Sequence, residues 1–169
     1  GGEAFAEKHL IRRFSCAGCP IGCVHIAALK TAFSEHHEFE VRRVSYDYEP
    51  IYSLGSNLGV KTAEGILQLI DVCERLGLDV MSAGVVLSWA TEALEKGLIT
   101  DKETMGLPVQ WNSVDGYTKA LELIARAPNE FYSALGRGAE YAAKKYGGLE
   151  YAMTLGGNEV SGYHTGPAS

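Results

Sequence analysis

The feature that most constrains this chain is a short loop that holds three of its four cysteines. Cys16, Cys19 and Cys23 have the spacing C-x2-C-x3-C and are separated mainly by small residues and a proline. Thiols this close together can face one volume and bind zinc or the iron of an iron–sulfur cluster. Gly18 and Gly22 permit positive φ angles, so backbone N–H groups can turn toward such a cluster. The loop therefore predicts a site for a soft metal.

Two other uses of these thiols compete with a cluster. A structural zinc site needs four protein ligands, and His25 completes the set as C-x2-C-x3-C-x-H, although zinc ligand pairs are more often set well apart. His25 also lies in an apolar segment, where a packed histidine is more common than a ligand. A disulfide would leave one of the three thiols unpaired, and the chain does not resemble a disulfide-dense secreted domain. The spacing favours an iron–sulfur cluster, with zinc as the main alternative.

The composition limits the classes of partner. With 169 residues, of which 46% are hydrophobic and 21% are charged, the chain can bury a sizeable core as one soluble domain. A net charge of -6 argues against nucleic acid or an anionic membrane as the main partner, because phosphate binding needs clustered cations. No apolar run reaches the ~18 residues of a membrane span, and no signal peptide opens the chain. We expect a cytoplasmic protein that does not bind nucleic acid or membrane.

The two ends of the chain suggest that it is a piece of a larger protein. It starts at Gly1 without a methionine and stops at Ser169 directly after a stretch that looks structured. We therefore expect residues 1–169 to form a single helical domain of a longer, multidomain protein.

The middle of the chain has the period of amphipathic helices. Apolar residues recur at steps of three and four, which predicts one buried helix face ended by Gly77; these residues are Ile66, Leu69, Ile70, Cys73 and Leu76. Asp79 is expected to cap a second helix that runs to about Lys96. Thr100 and Glu103 match a capping box.

The remaining segments are less regular. We expect Asn112 to cap a helix through Ala127, and Asn129 to cap one from Glu130 to Tyr146. Gly136 and Gly138 cost helicity there but permit close approach of a neighbouring element. The last segment, 149–169, loses the helical period.

At the start of the chain, residues 4–15 are expected to be helical with Phe5, His9 and Phe14 inward, and a helix is expected within Gly22–Lys30. Residues 39–46 alternate weakly, as a strand does. The predicted fold is mainly α, with few or no short strands.

A carboxylate in an apolar, glycine-punctuated segment is a candidate acid or base. Glu49 lies between Tyr48 and Pro50, where partial desolvation would raise its pKa and make proton transfer near neutral pH plausible. A carboxylate at the start of a helix also stabilises the helix N-terminus, and that simpler role is equally consistent with the sequence. Glu49 is thus a candidate for either role.

Taken together, three motifs resemble the middle, helical domain of the tungsten-containing aldehyde:ferredoxin oxidoreductases. The similarity extends over nearly the whole chain, to Glu159 and Tyr163. The motifs are the C-x2-C-x3-C loop, the pattern Tyr48-Glu49-x-x-x-x-Leu54-Gly55-x-Asn57-x-Gly59, and the segment Glu74-Arg75-Leu76-Gly77-Leu78-Asp79.

The resemblance implies a tungsten, or molybdenum, bis-pterin centre beside a [4Fe–4S] cluster. Such a centre oxidises an aldehyde plus water to a carboxylate and passes electrons through the cluster to ferredoxin. It implies that Cys16, Cys19 and Cys23 are three cluster ligands, that the fourth cysteine lies in a part of the protein outside this chain, and that Glu49 stands beside the metal as acid or base. It also implies an oxygen-free setting and a possible homodimer.

The same resemblance assigns a pterin loop. Glu74, Gly77, Leu78 and Asp79 match the D-x-x-G-L-D pattern, with a glutamate where the family has an aspartate. We expect the isolated chain to fold but to lack both cofactor and activity, because one pterin loop and three thiols are only part of such a site. The alternative is a non-enzymatic helical module whose cysteines hold a structural zinc or no metal.

Overall fold

The computed structural model describes residues 2–32 and 38–162, and helices dominate them, as the sequence predicts. The α-helices are α1 (Gly2–His9), α2 (Tyr48–Leu54), α3 (Ala63–Leu76), α4 (Val80–Glu95), α5 (Asp101–Thr104), α6 (Val114–Arg126), α7 (Glu130–Leu135) and α8 (Ala139–Tyr146). Single 3-10 turns occur at Ser56–Leu58 and Leu149–Tyr151. No helix in these residues is long and apolar enough to span a lipid bilayer.

A three-stranded antiparallel sheet precedes the helical body and corrects two predictions. The strands β1 (Leu10–Phe14), β2 (Val24–Ala32) and β3 (Phe39–Tyr46) lie in the order β1-β2-β3. Both the expectation of few or no short strands and the expected helix within Gly22–Lys30 are therefore wrong. The alanines and leucine of β2 favour a helix locally, but continuous pairing with β3, from His25 opposite Tyr46 to Ala32 opposite Phe39, outweighs that preference.

The sheet buries only one face. Ala27, Leu29, Val44 and Tyr46 alternate along β2 and β3 and point into the core, where each is at most 6% exposed. The helix expected over residues 4–15 ends at His9, and the chain then enters β1. Phe5 and His9 are buried as predicted. Phe14 is 44% exposed, because it pairs with Val24 on the opposite face of the sheet, so its predicted inward position is wrong.

Helices α3 and α4 begin and end close to where the sequence predicts. Gly77 ends α3 with a φ of 70°, and its N–H donates to backbone carbonyls of the last turn. Asp79 caps α4, because its Oδ1 accepts a hydrogen bond from the Ser82 N–H at 2.8 Å. The predicted apolar face of α3 is buried except for its last member, Leu76, which is 37% exposed.

The later helices confirm two predicted caps and correct two boundaries. The capping box of Thr100 and Glu103 is present, and Asn129 caps α7. Ser113, not Asn112, caps α6; the Asn112 backbone has a φ of 63°, and its side chain accepts a hydrogen bond from the Lys61 N–H instead.

The helix expected over Glu130–Tyr146 is interrupted after Leu135. Its two parts are α7 and α8, and Gly138, whose φ is 103°, precedes α8. A two-residue hairpin of β4 (Thr154–Leu155) and β5 (Asn158–Glu159) follows α8.

Candidate metal and cofactor site

The three closely spaced thiols lie on the hairpin loop that connects β1 to β2. Phe14 and Val24 form the last strand pair before this loop. The Cys19 N–H donates to the Cys16 carbonyl at 3.0 Å, which closes a turn. Cys16 and Cys23 are exposed, and Cys19 is half-buried. The loop therefore offers all three thiols to a group that approaches from solvent.

Glycines give this loop its shape. Gly18 and Gly22 have φ values of 75° and 67°, which a side chain would strain. A Cβ at Gly18 would meet no atom within 4 Å, so the space beside it is open. The expectation that these glycines adopt positive φ is confirmed.

Histidine 25 is not arranged as a fourth ligand. Its ring stacks on Tyr46 with centroids 5.3 Å apart and an interplanar angle of 27°. Among residues 2–32 and 38–162, no group of three or more His, Cys, Asp or Glu side chains is arranged to hold a metal ion. The zinc alternative built on His25 therefore has no support in the described part of the chain, and the thiols themselves do not yet converge on one point.

The fourth cysteine differs from the other three in its burial and in the pKa of its thiol. Cys73 is fully buried on α3, and burial raises the pKa of its thiol to about 12. A buried thiol that stays protonated is a poor metal ligand, because the thiolate is the ligating form. Cys73 belongs to the core, as the helical period predicts.

The segment after α3 lines a cavity. Gly77, Leu78 and Asp79 form one wall of a space of about 350 Å³, and the Gly136–Gly138 segment forms part of the opposite wall. Three of the predicted cofactor residues, Gly77, Leu78 and Asp79, therefore line one cavity. Glu74, one turn earlier, does not line it and is exposed to solvent.

Glutamate 159 connects the two walls of this cavity. Its Oε2 accepts a hydrogen bond from the Ser82 hydroxyl at 2.9 Å, and its Oε1 accepts one from the Ala139 N–H at 2.9 Å. A Cβ at Gly138 would lie 2.8 Å from the same carboxylate, so only glycine allows this approach. The predicted close approach at Gly138 is confirmed. Tyr163, the other residue of this part of the resemblance, lies outside the described residues.

An ion network stands beside Glu74. The Asp71 carboxylate accepts hydrogen bonds from Arg42 at 2.6 Å and from Arg75 at 2.9 Å. Partial desolvation, followed by the negative charge of Asp71, raises the pKa of Glu74. The network joins β3 to α3 and so holds the sheet against the helical body.

The helix that carries Glu49 is fixed to the start of α4. Glu49 lies half-buried in the first turn of α2. The Ser53 hydroxyl on the same helix lies 2.9 Å from the Met81 carbonyl, and the Asn57 amide donates to the Gly84 carbonyl at 3.2 Å. A Cβ at Gly84 would lie 2.0 Å from the Ser53 Oγ, so only glycine allows the two helices to pack this closely.

Sequence reasoning missed this junction. Ser53 and Gly84 carry no motif of their own, because their role arises from a contact between distant parts of the chain. Asn57 is part of the motif from Tyr48 to Gly59 and is the one signal of this junction in the sequence. The junction places Glu49 on the helix that packs against the residues directly after the Gly77–Asp79 segment.

Aspartate 47, which precedes α2, is a residue that the sequence did not single out. Its Oδ1 is buried and has no hydrogen-bond partner, although Asp47 stands at the N-cap position. Burial, followed by the charge of Glu49, raises the pKa of this carboxyl, and His25 opposes the rise. The Asp47 carboxyl therefore binds a proton more readily than an ordinary aspartate does.

The chain is similar to known oxidoreductases along most of its length. It is 34% identical over 163 residues to the tungsten-containing aldehyde ferredoxin oxidoreductase of Pyrococcus furiosus, and 34% identical over 164 residues to that of Thermococcus kodakarensis. Each match covers 96% of this chain and 26% of the relative, so the chain spans about a quarter of the length of these relatives. It is also 30% identical over 112 residues to the aliphatic sulfonate oxidoreductase, WOR-like subunit, of P. furiosus, covering 63% of this chain and 16% of that protein.

A solved structure has a similar fold. It is the active site complex BamBC of benzoyl coenzyme A reductase in complex with 1,5-dienoyl-CoA, matched with a TM-score of 0.70 and 24% identity over 93% of this chain and 22% of that one. At this identity the likeness concerns the fold alone. The family model described as aldehyde ferredoxin oxidoreductase, domains 2 and 3, matches residues 1–167. With that match and the two relatives at 34% identity, the chain belongs to the aldehyde ferredoxin oxidoreductase family.

Proposed function

We propose that this chain is the helical part of an oxidoreductase that converts an aldehyde and water to a carboxylic acid at a tungsten, or molybdenum, bis-pterin centre. The observation that carries the proposal is the hairpin loop, which presents three thiols to solvent in a member of this family. The whole protein passes its electrons to ferredoxin and works in the cytoplasm of an oxygen-free cell. When bound, the metal centre takes up the two electrons of the oxidation, and the cluster conducts them outward.

The loop suits three ligands of a [4Fe–4S] cluster. Thiolates are the usual ligands of such clusters, and no atom lies within 4 Å of a Cβ built at Gly18, so the loop is open on that side. Cys16, Cys19 and Cys23 would hold three of its irons once the loop brings their thiols together. The fourth ligand comes from outside residues 1–169, because Cys73 is buried and protonated.

The cavity beside α4 suits one edge of a pterin. Pterins present an amine and ring N–H groups, which pair with carboxylate and carbonyl oxygens. Asp79 and the backbone of Gly77 and Leu78 form this edge of the binding site. Glu74 is exposed and lies next to these residues, so it reaches the cofactor only from the rim. We propose that it contributes less to binding than Asp79.

Glu49 moves protons in the proposed reaction. Addition of water to the aldehyde carbon, with loss of two electrons, releases protons that a nearby base must accept. Glu49 is half-buried, and hydrogen bonds from Ser53 and Asn57 hold its helix in place. A fixed helix keeps the carboxylate in one position relative to the cavity. Asp47 precedes this helix, and the charge of Glu49 contributes to the raised pKa of the Asp47 carboxyl.

The first test removes the thiols one at a time from the full-length protein. Alanine at Cys16, Cys19 or Cys23 should abolish the broad visible absorption and the labile sulfide of the anaerobically purified protein. Cys73→Ala is the matched control, and it should leave iron content unchanged while lowering stability. Unchanged iron and absorption in all three loop variants would refute the cluster assignment, and stoichiometric zinc would support the non-enzymatic module.

The second test concerns the base. Glu49→Gln keeps the size of the side chain but removes its titration, so kcat should fall by roughly 10²–10⁴ with normal metal and cluster content. Activity within a few-fold of the parent would leave Glu49 with a structural role at the start of α2.

The third test uses the isolated chain. Residues 1–169 expressed alone in a host supplied with tungstate should fold, contain no tungsten and oxidise no aldehyde. Stoichiometric tungsten in that chain would show that the site is complete within it.

A further inference from the structure

Within residues 2–32 and 38–162, the outer face of the three-stranded sheet exposes apolar side chains and cations to solvent. The strand residues that point away from the core are Arg12 and Phe14 on β1, Val24, Ile26, Ala28, Lys30 and Ala32 on β2, and Phe39, Val41, Arg43 and Ser45 on β3. Among these described residues there are three cations and no carboxylate. Phe14, Phe39 and Val41 are 44%, 52% and 54% exposed. We call this surface the outer sheet face.

The charge of this face contrasts with that of the whole chain. The chain has a net charge of -6, so cations are in the minority overall. Of the cations on the sheet, Arg42 is held by Glu40 and Asp71 on the inner side. Arg12, Lys30 and Arg43 are exposed on the outer side. The outer side of the sheet therefore carries three exposed cations, whereas the inner side carries Arg42, which is paired, and Arg13, which is exposed on the edge strand β1.

The outer sheet face is continuous with the thiol loop. Phe14 and Val24 form its last row, and the loop that holds Cys16, Cys19 and Cys23 joins these two residues. A protein that docks on the face would stand directly beside the loop. Electron transfer between proteins requires such closeness, because tunnelling rates fall steeply with distance.

We propose that the outer sheet face is the docking surface for a small acidic electron-carrier protein of the ferredoxin type. This inference rests on the proposed function, which supplies a cluster in the loop and electrons to be removed. The three cations lie in the middle rows of the face, where they attract an acidic partner and orient it, and the exposed apolar side chains of Phe14 and Phe39 flank them at the two ends and add contact area.

The size of the face agrees with a brief encounter. Strands about 4.8 Å apart and a central strand of nine residues give a face of roughly 15 by 30 Å. Weak electron-transfer complexes lie at the small end of protein interfaces, below about 1,200 Å² in total. A second copy of this chain fits less well, because a symmetric contact would place the cations of one copy against those of the other.

The test uses the full-length holoenzyme and two electron acceptors. Arg12→Glu, Lys30→Glu and Arg43→Glu are combined in one variant, and reduction of an acidic [4Fe–4S] ferredoxin is compared with reduction of a viologen dye. At low salt, kcat/KM for the ferredoxin should fall by about tenfold or more and lose its dependence on ionic strength. Viologen reduction should stay within about twofold, because a small dye needs no docking surface.

Two controls keep the outcome specific. Lys119→Glu makes the same charge change as each single replacement, but at an exposed position on α6, and it should leave ferredoxin reduction unchanged where Arg12→Glu, Lys30→Glu or Arg43→Glu alone lowers it. Val41→Ser removes apolar surface without changing charge and should weaken ferredoxin binding several-fold in a direct binding measurement.

Unaltered ferredoxin kinetics in the triple variant, with normal viologen activity, would overturn the docking surface and leave the proposed function intact. Loss of viologen activity with loss of cofactor would show that another domain covers this face, which also overturns it. If the unmodified holoenzyme reduces neither acceptor and contains no cluster, the proposed function itself fails. Binding of single-stranded DNA in preference to ferredoxin would assign the cations to a different partner.

Discussion

The helical body, from α3 to α8, and the three-stranded sheet differ in how much of their surface they bury. Trp89, Tyr117 and Leu121 are at most 1% exposed, and α4 is buried on nearly all sides. In the sheet, one face is packed against the body and the other carries exposed aromatic residues and cations. The comparison indicates a division between the two regions: the body buries the large side chains that stabilise the fold, and the sheet and its loop expose thiols, cations and apolar side chains to solvent.

The thiols should separate the two regions most strongly. In the cofactor-free chain, Cys16 and Cys23 are exposed, whereas Cys73 is 0% exposed and has a pKa of about 12. Cys73 can react only when the body opens, and opening of a stable core is rarer by ~10³-fold or more. Timed labelling with a chromogenic disulfide should therefore show three fast thiols and one that reacts only with denaturant. The Cys73→Ala variant keeps only the three loop thiols, and all three should react fast. If only two of them do, one loop thiol is protected and the prediction is wrong.

Truncation of a large side chain should distinguish the regions next. Trp89 is 1% exposed, and its Nε1 donates to the Gly148 carbonyl at 3.2 Å. Trp89→Ala should lower the free energy of unfolding by about 3–5 kcal/mol, because it leaves a cavity and an unpaired carbonyl. Phe39→Ala on the outer sheet face should change it by less than about 0.5 kcal/mol. Urea denaturation followed by circular dichroism measures both, and equal losses would contradict the division.

Two glycines within the body offer a finer comparison. Gly84 has no room for a methyl group, because a Cβ would lie 2.3 Å from the Ser53 carbonyl oxygen. Gly84→Ala should therefore cost about 1–3 kcal/mol of stability. Gly136 has helical φ and ψ values, and a Cβ there would meet nothing closer than 3.6 Å. Gly136→Ala should stabilise the protein by about 0.4–1 kcal/mol, since it restricts the unfolded chain. Thermal unfolding of both variants tests this comparison, and melting temperatures that shift in the same direction would contradict it.

The smallest effect concerns pH, at the boundary between sheet and body. Burial, followed by the charge of Glu49, raises the pKa of Asp47. An acid whose pKa is higher in the folded state binds more protons there, so stability falls as pH rises from its unfolded-state pKa through its folded-state pKa. Asp47→Asn should therefore be more stable than the parent near neutral pH.

The advantage of Asp47→Asn should vanish as the pH falls below the ordinary pKa of aspartate. No helix-capping hydrogen bond is lost in this variant, because the Asp47 side chain makes none. Glu49→Gln is the control. It removes the neighbouring charge that contributes to the raised pKa of Asp47, so it should increase stability near neutral pH by less than Asp47→Asn does. Denaturation curves across this pH range measure the difference in the free energy of unfolding between Asp47→Asn and the parent. A difference that does not vary with pH would show that the pKa of Asp47 is not its cause.

Much of the helical body could be predicted from the sequence because its signals are local. The apolar period of α3, the cap at Asp79 and the capping box of Thr100 each depend on neighbours within one or two turns. Of the sheet, β3 could be predicted in this way, from the alternation over residues 39–46, whereas β1 and β2 could not. Val24–Ala32 contains helix-forming residues, and it becomes a strand only through pairing with β3, which lies further along the chain.

The candidate site divides in the same manner. The thiols and the Gly77–Asp79 segment are visible as short motifs, and the segment indeed lines a cavity. Ser53 and Gly84 were not visible, because their contact joins α2 to α4. A motif can be recognised in the sequence alone, whereas the contacts between helices that hold the motif in position become visible only in the structure.

The bridging carboxylate of Glu159 has a consequence for the order in which the protein assembles. Its hydrogen bonds reach Ser82, 77 positions earlier, and the first turn of α8, so they can form only after α4 and α8 have packed together. Contacts that form after the rate-limiting step affect the unfolding rate rather than the folding rate. Glu159→Gln should therefore accelerate unfolding in stopped-flow measurements and leave refolding nearly unchanged, and the β4–β5 hairpin should be the last segment to become protected from hydrogen exchange. The cavity beside α4 would then stay open until the end of folding, so the pterin that we propose for it would have time to enter.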